Sequence, residues 1–215
     1  AAHDSVMSSG VIARTILLDQ MVGEFIRENP CGRVVNIACG LDTRFYRLDN
    51  GRIRWINLDL PETIDVRRRL LPEEGRVSTI ACSAMDERWA REVGPFDGKT
   101  LVVIEGLLMY LMEADVRRIL SIIERGFDDV VVIAETMSSF IMKHFRERSI
   151  EATGARFTWG VRSGADVAAL SPGLRWVRDV SLVEGMKALY PVYRLIGGLV
   201  KGFSNQLVIL QKCAR

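Results

Sequence analysis

Residues 33–48 read RVVNIACGLDTRFYRL, and this stretch decides the fold. Arg33 to Ile37 is a short, mostly apolar run rich in β-branched residues, followed by the small-residue turn Ala38-Cys39-Gly40. A run of that length stopped by a glycine reads as a buried strand. Leu41 to Leu48 then reads as a short helix. Strand, glycine turn and helix form one unit of an α/β layer structure, provided that the unit repeats.

It does repeat. Ile53 to Asp59 alternates like a strand, and Pro61 opens a helix to Leu71. Arg76 to Cys82 is the next strand, followed by a short helix from Asp86 to Val93. Thr100 to Glu105 (TLVVIE) is an apolar strand of the kind found inside parallel sheets, and Glu113 to Arg125 is an amphipathic helix. Val130 to Glu135 is a further buried strand, with a helix expected over Ser138 to Ala152. Gly164 to Leu170 reads as helix, Trp176 to Leu182 as strand and Gln206 to Gln211 as the last strand. Between those two strands, Gly185 to Gly202 is an apolar helix with breaks expected at Pro191 and Gly197-Gly198. Ahead of the sheet, Ile12 to Arg27 carries Ile16, Leu17, Met21, Val22, Phe25 and Ile26 on one helical stripe. The pattern predicts an α/β fold with a seven-stranded, mostly parallel sheet and helices on both faces. The direction of the last two strands stays open.

At 215 residues the chain reads as a single domain. Its expected parts are an N-terminal helical segment (1–30), a cofactor-binding half (31–136) and a substrate-side half (137–215). It is 48% hydrophobic and 26% charged, enough apolar residue for a full core. Basic residues number 29 against 27 acidic, a net charge of +2, which argues against a nucleic-acid binder. The cysteines at 31, 39, 82 and 213 form no CxxC pair, and His3 and His144 lie apart from them, so no metal site is expected. Scattered cysteines in this setting read as buried thiols of a reducing compartment. No apolar run approaches a membrane span, and the N-terminus lacks the basic start and apolar core of a secretory signal. A cytoplasmic protein is expected.

In open α/β sheets, ligands bind beyond the carboxyl ends of the strands. The residues at those positions are Ala38-Cys39-Gly40-Leu41-Asp42, Asp59-Leu60-Pro61, Ser83-Ala84-Met85-Asp86 and Glu105-Gly106. Acids are dense along this edge. Each has a plainer reading: Gly40 as a tight turn, Asp42 or Asp59 as helix caps, Glu105 as the partner of an arginine. The combination argues for more. An acid 19 residues after the loop glycine, ending the second strand, suits the two hydroxyls of a ribose. The loop lacks GxGxxG, and Asp42 stands where a dinucleotide's phosphates would approach. S-adenosylmethionine carries a sulfonium and an ammonium and no phosphate, so charge favours it over NAD.

The stretches VVNIACGLDTRFYRL, WINLDLPETIDVRRRLL, ACSAMDERW and VIEGLLMYL occur in this order and spacing. Together they resemble the leucine carboxyl methyltransferase superfamily, and more closely its bacterial branch of polyketide O-methyltransferases. The resemblance runs from about Ile12 to about Glu135, and its most specific part is the pair GLDTR and LDLPE. It implies a class I, Rossmann-like methyltransferase fold that uses S-adenosylmethionine. By the same resemblance, Arg14 holds the cofactor's carboxylate, and Ala38 and Gly40 line the methionyl part through their backbone. Asp59 takes the ribose, with Leu60 against the adenine. Ser83, Ala84 and Asp86 meet the adenine edge, although members of the family often carry an acid at the Ser83 position. Glu105 and Gly106 flank the amine and sulfonium. Asp42 and Arg44 belong to the motif and are expected to brace the loop as an ion pair. Members of that branch carry a longer segment ahead of the first helix than the residues before Ile12 here, which bears on how the cofactor is covered.

For the acceptor side, Tyr110 follows the fourth strand, His144 lies on the helix after the fifth, and Tyr190 belongs to the late apolar stretch. Their plainer roles are core packing for the tyrosines and a surface position for the histidine. No catalytic residue stands out. Three readings follow: an O-methyltransferase of a small organic acceptor, polyketide-like or a carboxylate; a protein or peptide carboxyl methyltransferase; and a non-catalytic cofactor-binding module of the same fold.

Overall fold

The computed structural model describes residues 2–71, 75–144, 156–200 and 204–213, with side chains left aside at 2–8, 143–144, 196 and 198–200. The strands are β1 (Arg33–Ile37), β2 (Arg54–Asp59), β3 (Val77–Ala81), β4 (Thr100–Ile104), β5 (Val130–Thr136), β6 (Arg175–Ser181) and β7 (Gln206–Lys212). They form one sheet in the order β3-β2-β1-β4-β5-β7-β6. β7 runs antiparallel to β5 and β6, and the other pairings are parallel. This resolves the direction that the sequence left open. The strand order reverses beside β1, between β2 and β4, and in open α/β sheets the carboxyl edge at such a switch point is where ligands bind.

Helices cover both faces. Alternation along each strand sends Val35, Ile37, Val102, Ile104 and Val132 to one core, shared with Val116, Ile119, Leu120 and Ile123 of α5 (Glu113–Gly126). Val34, Trp55, Leu101, Val103 and Ile133 face the other, against Leu18, Val22 and Phe25 of α1 (Ala2–Glu28). β1 and β4 are buried throughout, as strands between two helical layers must be.

α1 is longer than its apolar stripe predicted. It continues back to Ala2, past residues of low helix propensity, and Ser9 is buried there with its hydroxyl 2.6 Å from that of Tyr190. Tertiary contact overrides propensity at that end. Conversely, the helix expected from Leu41 shrinks to α2 (Arg44–Leu48), because Gly40 takes φ of +49° and Asp42 turns its carboxylate back onto the Arg44 N–H. α3 (Pro61–Leu70) and α4 (Arg88–Val93) follow their strands. α6 (Ser139–His144) is the described part of the helix expected to Ala152, the rest of which lies outside the described residues. α7 (Gly164–Ala168) starts with a capping box between Ser163 and Asp166.

The late apolar helix breaks at Pro191 into α8 (Val183–Leu189) and α9 (Val192–Val200). The second expected break, at Gly197-Gly198, does not occur. A Cβ on Gly197 would sit 3.0 Å from Val183 and Lys187 side-chain carbons, so this glycine serves close packing of α9 on α8. α8 in turn packs on α1, where a Cβ on Gly185 would lie 2.3 Å from the Ala13 carbonyl oxygen. Cys39 and Cys82 are buried as expected, whereas Cys31 and Cys213 are exposed because they lie in the turn before β1 and just beyond β7. No helix of the described residues is long and apolar enough to cross a membrane.

Candidate active site

The carboxyl ends of β1, β2, β4 and β5 lie in register: Ile37 pairs with Leu58 and Ile104, and Ile104 with Ala134. The residues that follow therefore share one edge. The chain leaves β1 through Ala38 at φ +54° and Gly40 at φ +49°, two left-handed residues in a three-residue turn. For alanine that conformation costs roughly 1 kcal/mol, and it persists here because the loop is held from several sides. Arg67 of α3, 1% exposed, donates from Nη1 to the carbonyls of Gly40 (3.0 Å) and Asp42 (2.8 Å). The Gly40 N–H donates to Asp59 Oδ2 at 2.8 Å. The Leu60 N–H donates to Asp59 Oδ1 at 2.7 Å, so both carboxylate oxygens are oriented by backbone. Each oxygen keeps a second lone pair for a ligand hydroxyl.

Beside this turn lies a cavity of about 340 Å³ bordered by Arg14, Asn36, Ala38, Leu41, Asp42 and Glu105. Its wall is an ionic network. Arg44, 2% exposed, reaches Asp19 of α1 (2.8 Å), Asp42 and Glu105 (3.0 Å). Asn36 donates to Asp42 as well, at 2.9 Å. Arg14 of α1 lies with Nε 2.7 Å from Glu105 Oε1 and donates from Nη1 to Glu135 at 2.9 and 3.2 Å. Glu135 also accepts the N–H of Gly106, at 2.9 Å. Burial alone would lower the Arg14 pKa, but the charges of Glu135 and Glu105 outweigh it and hold the guanidinium above its ordinary value. Burial pushes Glu135 upward, against the pull of Arg14 and the Gly106 N–H. Such a set, with Arg14, Arg44 and Arg47 beside Asp42 and Glu105 at the same cavity, suits a ligand that carries both charges.

The profile of the leucine carboxyl methyltransferase family matches residues 1–124. The chain belongs to the leucine carboxyl methyltransferase family. This family member is 32% identical over 191 residues to the tetracenomycin polyketide synthesis O-methyltransferase TcmP of Streptomyces glaucescens, covering 87% of the chain and 70% of that protein. It is 29% identical, over 81% of its length and 64% of the other's, to the S-adenosyl-L-methionine-dependent methyltransferase dpfgK of Gibberella zeae. Among solved structures, a provisionally assigned methyltransferase of Thermobifida fusca superposes with a TM-score of 0.68 at 14% identity, covering 96% of this chain and 82% of that one. The family and the class I methyltransferase fold expected from the motifs are borne out.

In this family member the expected cofactor residues fall into two groups. Arg14, Ala38, Gly40, Asp59, Glu105 and Gly106 are linked through the contacts above. Leu60 is half exposed at the start of α3. Ser83, Ala84 and Asp86 belong to the turn after β3, where Ser83 Oγ accepts the Met85 N–H and the Ala84 carbonyl accepts from Trp89. Asp86 is engaged by Arg88, whose N–H and Nε reach it at 3.0 and 2.7 Å. Asp42 and Arg44 do pair, as expected. Tyr110 stacks at a tilt on Phe157 with ring centroids 5.3 Å apart, and Tyr190 is tied to Ser9. His144 ends α6, and its side chain lies outside those described. Sequence reasoning missed Glu135, Asp19, Asn36 and Arg67. Glu135 had a signal: it is an acid near the end of an otherwise apolar strand, as Asp59 is.

Proposed function

We propose that the crevice at the carboxyl ends of β1, β2 and β4 binds S-adenosylmethionine, and that the protein delivers its methyl group to an oxygen of a small organic acceptor, polyketide-like or a carboxylate. The enzyme class follows from family membership: the chain is an S-adenosylmethionine-dependent methyltransferase. The observation that carries the site is Asp59, ending β2 with both carboxylate oxygens oriented by backbone N–H groups, one of them from Gly40 in the β1 turn.

When bound, S-adenosylmethionine supplies an electrophilic methyl and a neutral thioether as leaving group. The chain's residues do the rest. Asp59 accepts the two ribose hydroxyls, with Leu60 on the adenine face and Ser83, Ala84 and Asp86 at its edge. Arg14 receives the amino-acid carboxylate, a task suited to the planar fork of a guanidinium. Glu105, with Gly106, receives the ammonium. The left-handed turn at Ala38 and Gly40 keeps side chains away from the methionyl portion. Methyl transfer of this kind is catalysed mainly by holding the two reactants in line and excluding water. A carboxylate acceptor needs no base, and a phenol gains from one. Tyr110, His144 and Tyr190 are the proposed acceptor-side residues. The division into residues 1–30, 31–136 and 137–215, and a cytoplasmic location, belong to the same reading.

Calorimetric titration with S-adenosylhomocysteine, with NAD run beside it, tests the cofactor. Binding of the former alone is expected; binding of NAD alone would refute the reading. Asp59→Ala is expected to weaken S-adenosylhomocysteine by about 1.5–3 kcal/mol, the scale of hydrogen bonds to a charged group. Unchanged affinity in the folded variant would remove Asp59 from the ribose site. An acceptor screen of phenols, small carboxylic acids and peptides then separates small-molecule from peptide methylation.

A further inference from the structure

Resting on the reading above, we infer that Glu135 is a positioning residue for the cofactor's amino-acid end: from β5 it fixes the Arg14 guanidinium and the Gly106 amide in the arrangement that receives the carboxylate and ammonium. The first support is its cost. Glu135 is 2% exposed, in a strand whose other buried positions are apolar or small. A buried ion pair is often no more stabilising than apolar residues of similar volume, so the carboxylate here points to a task beyond stability.

The second support is what its two oxygens hold. Oε1 and Oε2 both accept from Arg14 Nη1, and Oε2 also accepts the Gly106 N–H. One carboxylate on β5 thus ties α1 to the turn after β4, where Gly106 sits at φ +64°. A Cβ there would lie 4.0 Å from Arg14 Nη1, so the two held groups are near neighbours. Arg14 Nε meanwhile lies 2.7 Å from Glu105 Oε1, an ion-pair contact in which its N–H is not aligned for a hydrogen bond. A guanidinium whose Nη1 is held by both oxygens of one carboxylate, with Nε against a second, is restrained in position, and its Nη2 edge is left to meet a third carboxylate. Glu105 is shared between Arg14 and Arg44, one oxygen to each, so Glu135 is the carboxylate committed to Arg14. The groups that face Glu135 are therefore Arg14 of α1 and Glu105 after β4, and its upward pKa shift from burial is opposed by Arg14 and the Gly106 N–H. Without Arg14, Glu135 has less reason to ionise.

The experiment is a double-mutant cycle read with two ligands: S-adenosylhomocysteine, and methylthioadenosine, which lacks the amino acid. Arg14→Ala and Glu135→Gln are each expected to weaken S-adenosylhomocysteine about tenfold while methylthioadenosine stays within about twofold, and the double variant is expected to be no weaker than Arg14→Ala, as for two residues acting as one unit. Glu135→Gln keeps the volume and one carbonyl acceptor for Gly106. Glu135→Asp, which keeps the charge one methylene shorter, is expected to fall between wild type and Gln, and carries the test if Gln does not fold. Equal losses for both ligands would reduce Glu135 to a structural role and overturn the inference. So would unchanged binding, additive losses in the double variant, or tighter S-adenosylhomocysteine binding, which would mean that Glu135 competes for Arg14. If wild type binds neither nucleoside, the reading of the crevice fails and the inference with it. If wild type and Arg14→Ala behave as expected and Glu135→Gln does not, only the inference fails.

Discussion

The two ends of β1 each bury an arginine, and they solve the burial in opposite ways. At the amino end, Arg33 is 5% exposed. Its Nε donates to Thr100 Oγ1 at 3.3 Å, and its Nη1 to the carbonyls of Gly94 (2.9 Å) and Val93 (3.2 Å). Its guanidinium lies over the rings of Phe96 and Phe127, 4.8 and 5.3 Å from their centroids. Neutral acceptors and π faces hold this charge. Burial, and then the charge of Arg54, pull its pKa down to about 10. At the carboxyl end, Arg44 lies against Asp19, Asp42 and Glu105. The same residue type is thus a structural plug where the helix-to-strand loops enter the sheet, and the hub of a carboxylate network beside the cavity at its other end.

The comparison breaks most visibly through Arg44. Arg44→Ala leaves Asp19, Asp42 and Glu105 facing one another without their common cation. Breaking a buried ionic cluster on one side costs about 3–5 kcal/mol, and urea unfolding is expected to show a loss of that size together with weaker S-adenosylhomocysteine binding. A loss below about 1 kcal/mol, the value of a surface pair, would mean that water already screens the cluster.

The opposite end should respond less and differently. Arg33→Met keeps much of the volume and the contact with Phe96 and Phe127 while removing a charge that, among the described residues, is in no ion pair. What is lost is a donor to the Gly94 and Val93 carbonyls, so the expected cost is about 1–2 kcal/mol, with S-adenosylhomocysteine affinity unchanged. An affinity change as large as that of Arg44→Ala would erase the distinction between a structural and a ligand-facing end.

The sequence made the sheet legible because seven short apolar runs separated by turns and helical stripes have few other arrangements, and the observed strands begin and end within a residue or two of those runs. That Asp59 and Glu105 stand at strand ends on one edge was legible because an acid that closes an apolar run marks a position that does not depend on distant packing. What stayed hidden depends on contacts far apart in the chain. Arg67 sits in the run Arg67-Arg68-Arg69, and only the fold shows that Arg67 turns inward to the β1 loop. Gly197 looks like a hinge until the Val183 and Lys187 side chains are found against it. Asp19 on α1 gave no sign of serving Arg44 and Arg47, because its partners are set by how α1 lies over the sheet edge.

Asp19 offers the finest test of the carboxyl-end network. Burial raises its pKa, but hydrogen bonds from Arg47 and Arg44 outweigh burial and hold the carboxyl below its ordinary 3.8. A carboxyl whose pKa is lower folded than unfolded binds fewer protons in the native state. Its stabilisation is therefore complete above the unfolded pKa and disappears as pH falls through the folded one. Because Arg47 is well exposed, water and salt screen part of the gain, and Asp19→Asn is expected to cost about 0.5–1 kcal/mol at pH 7. Denaturant unfolding of both proteins should give curves that are separated at neutral pH and converge as pH falls below the usual carboxylate range. A constant gap across that range would show that Asp19 acts through its shape and hydrogen bonds, and that the network gathered by Arg44 is held by geometry more than by charge.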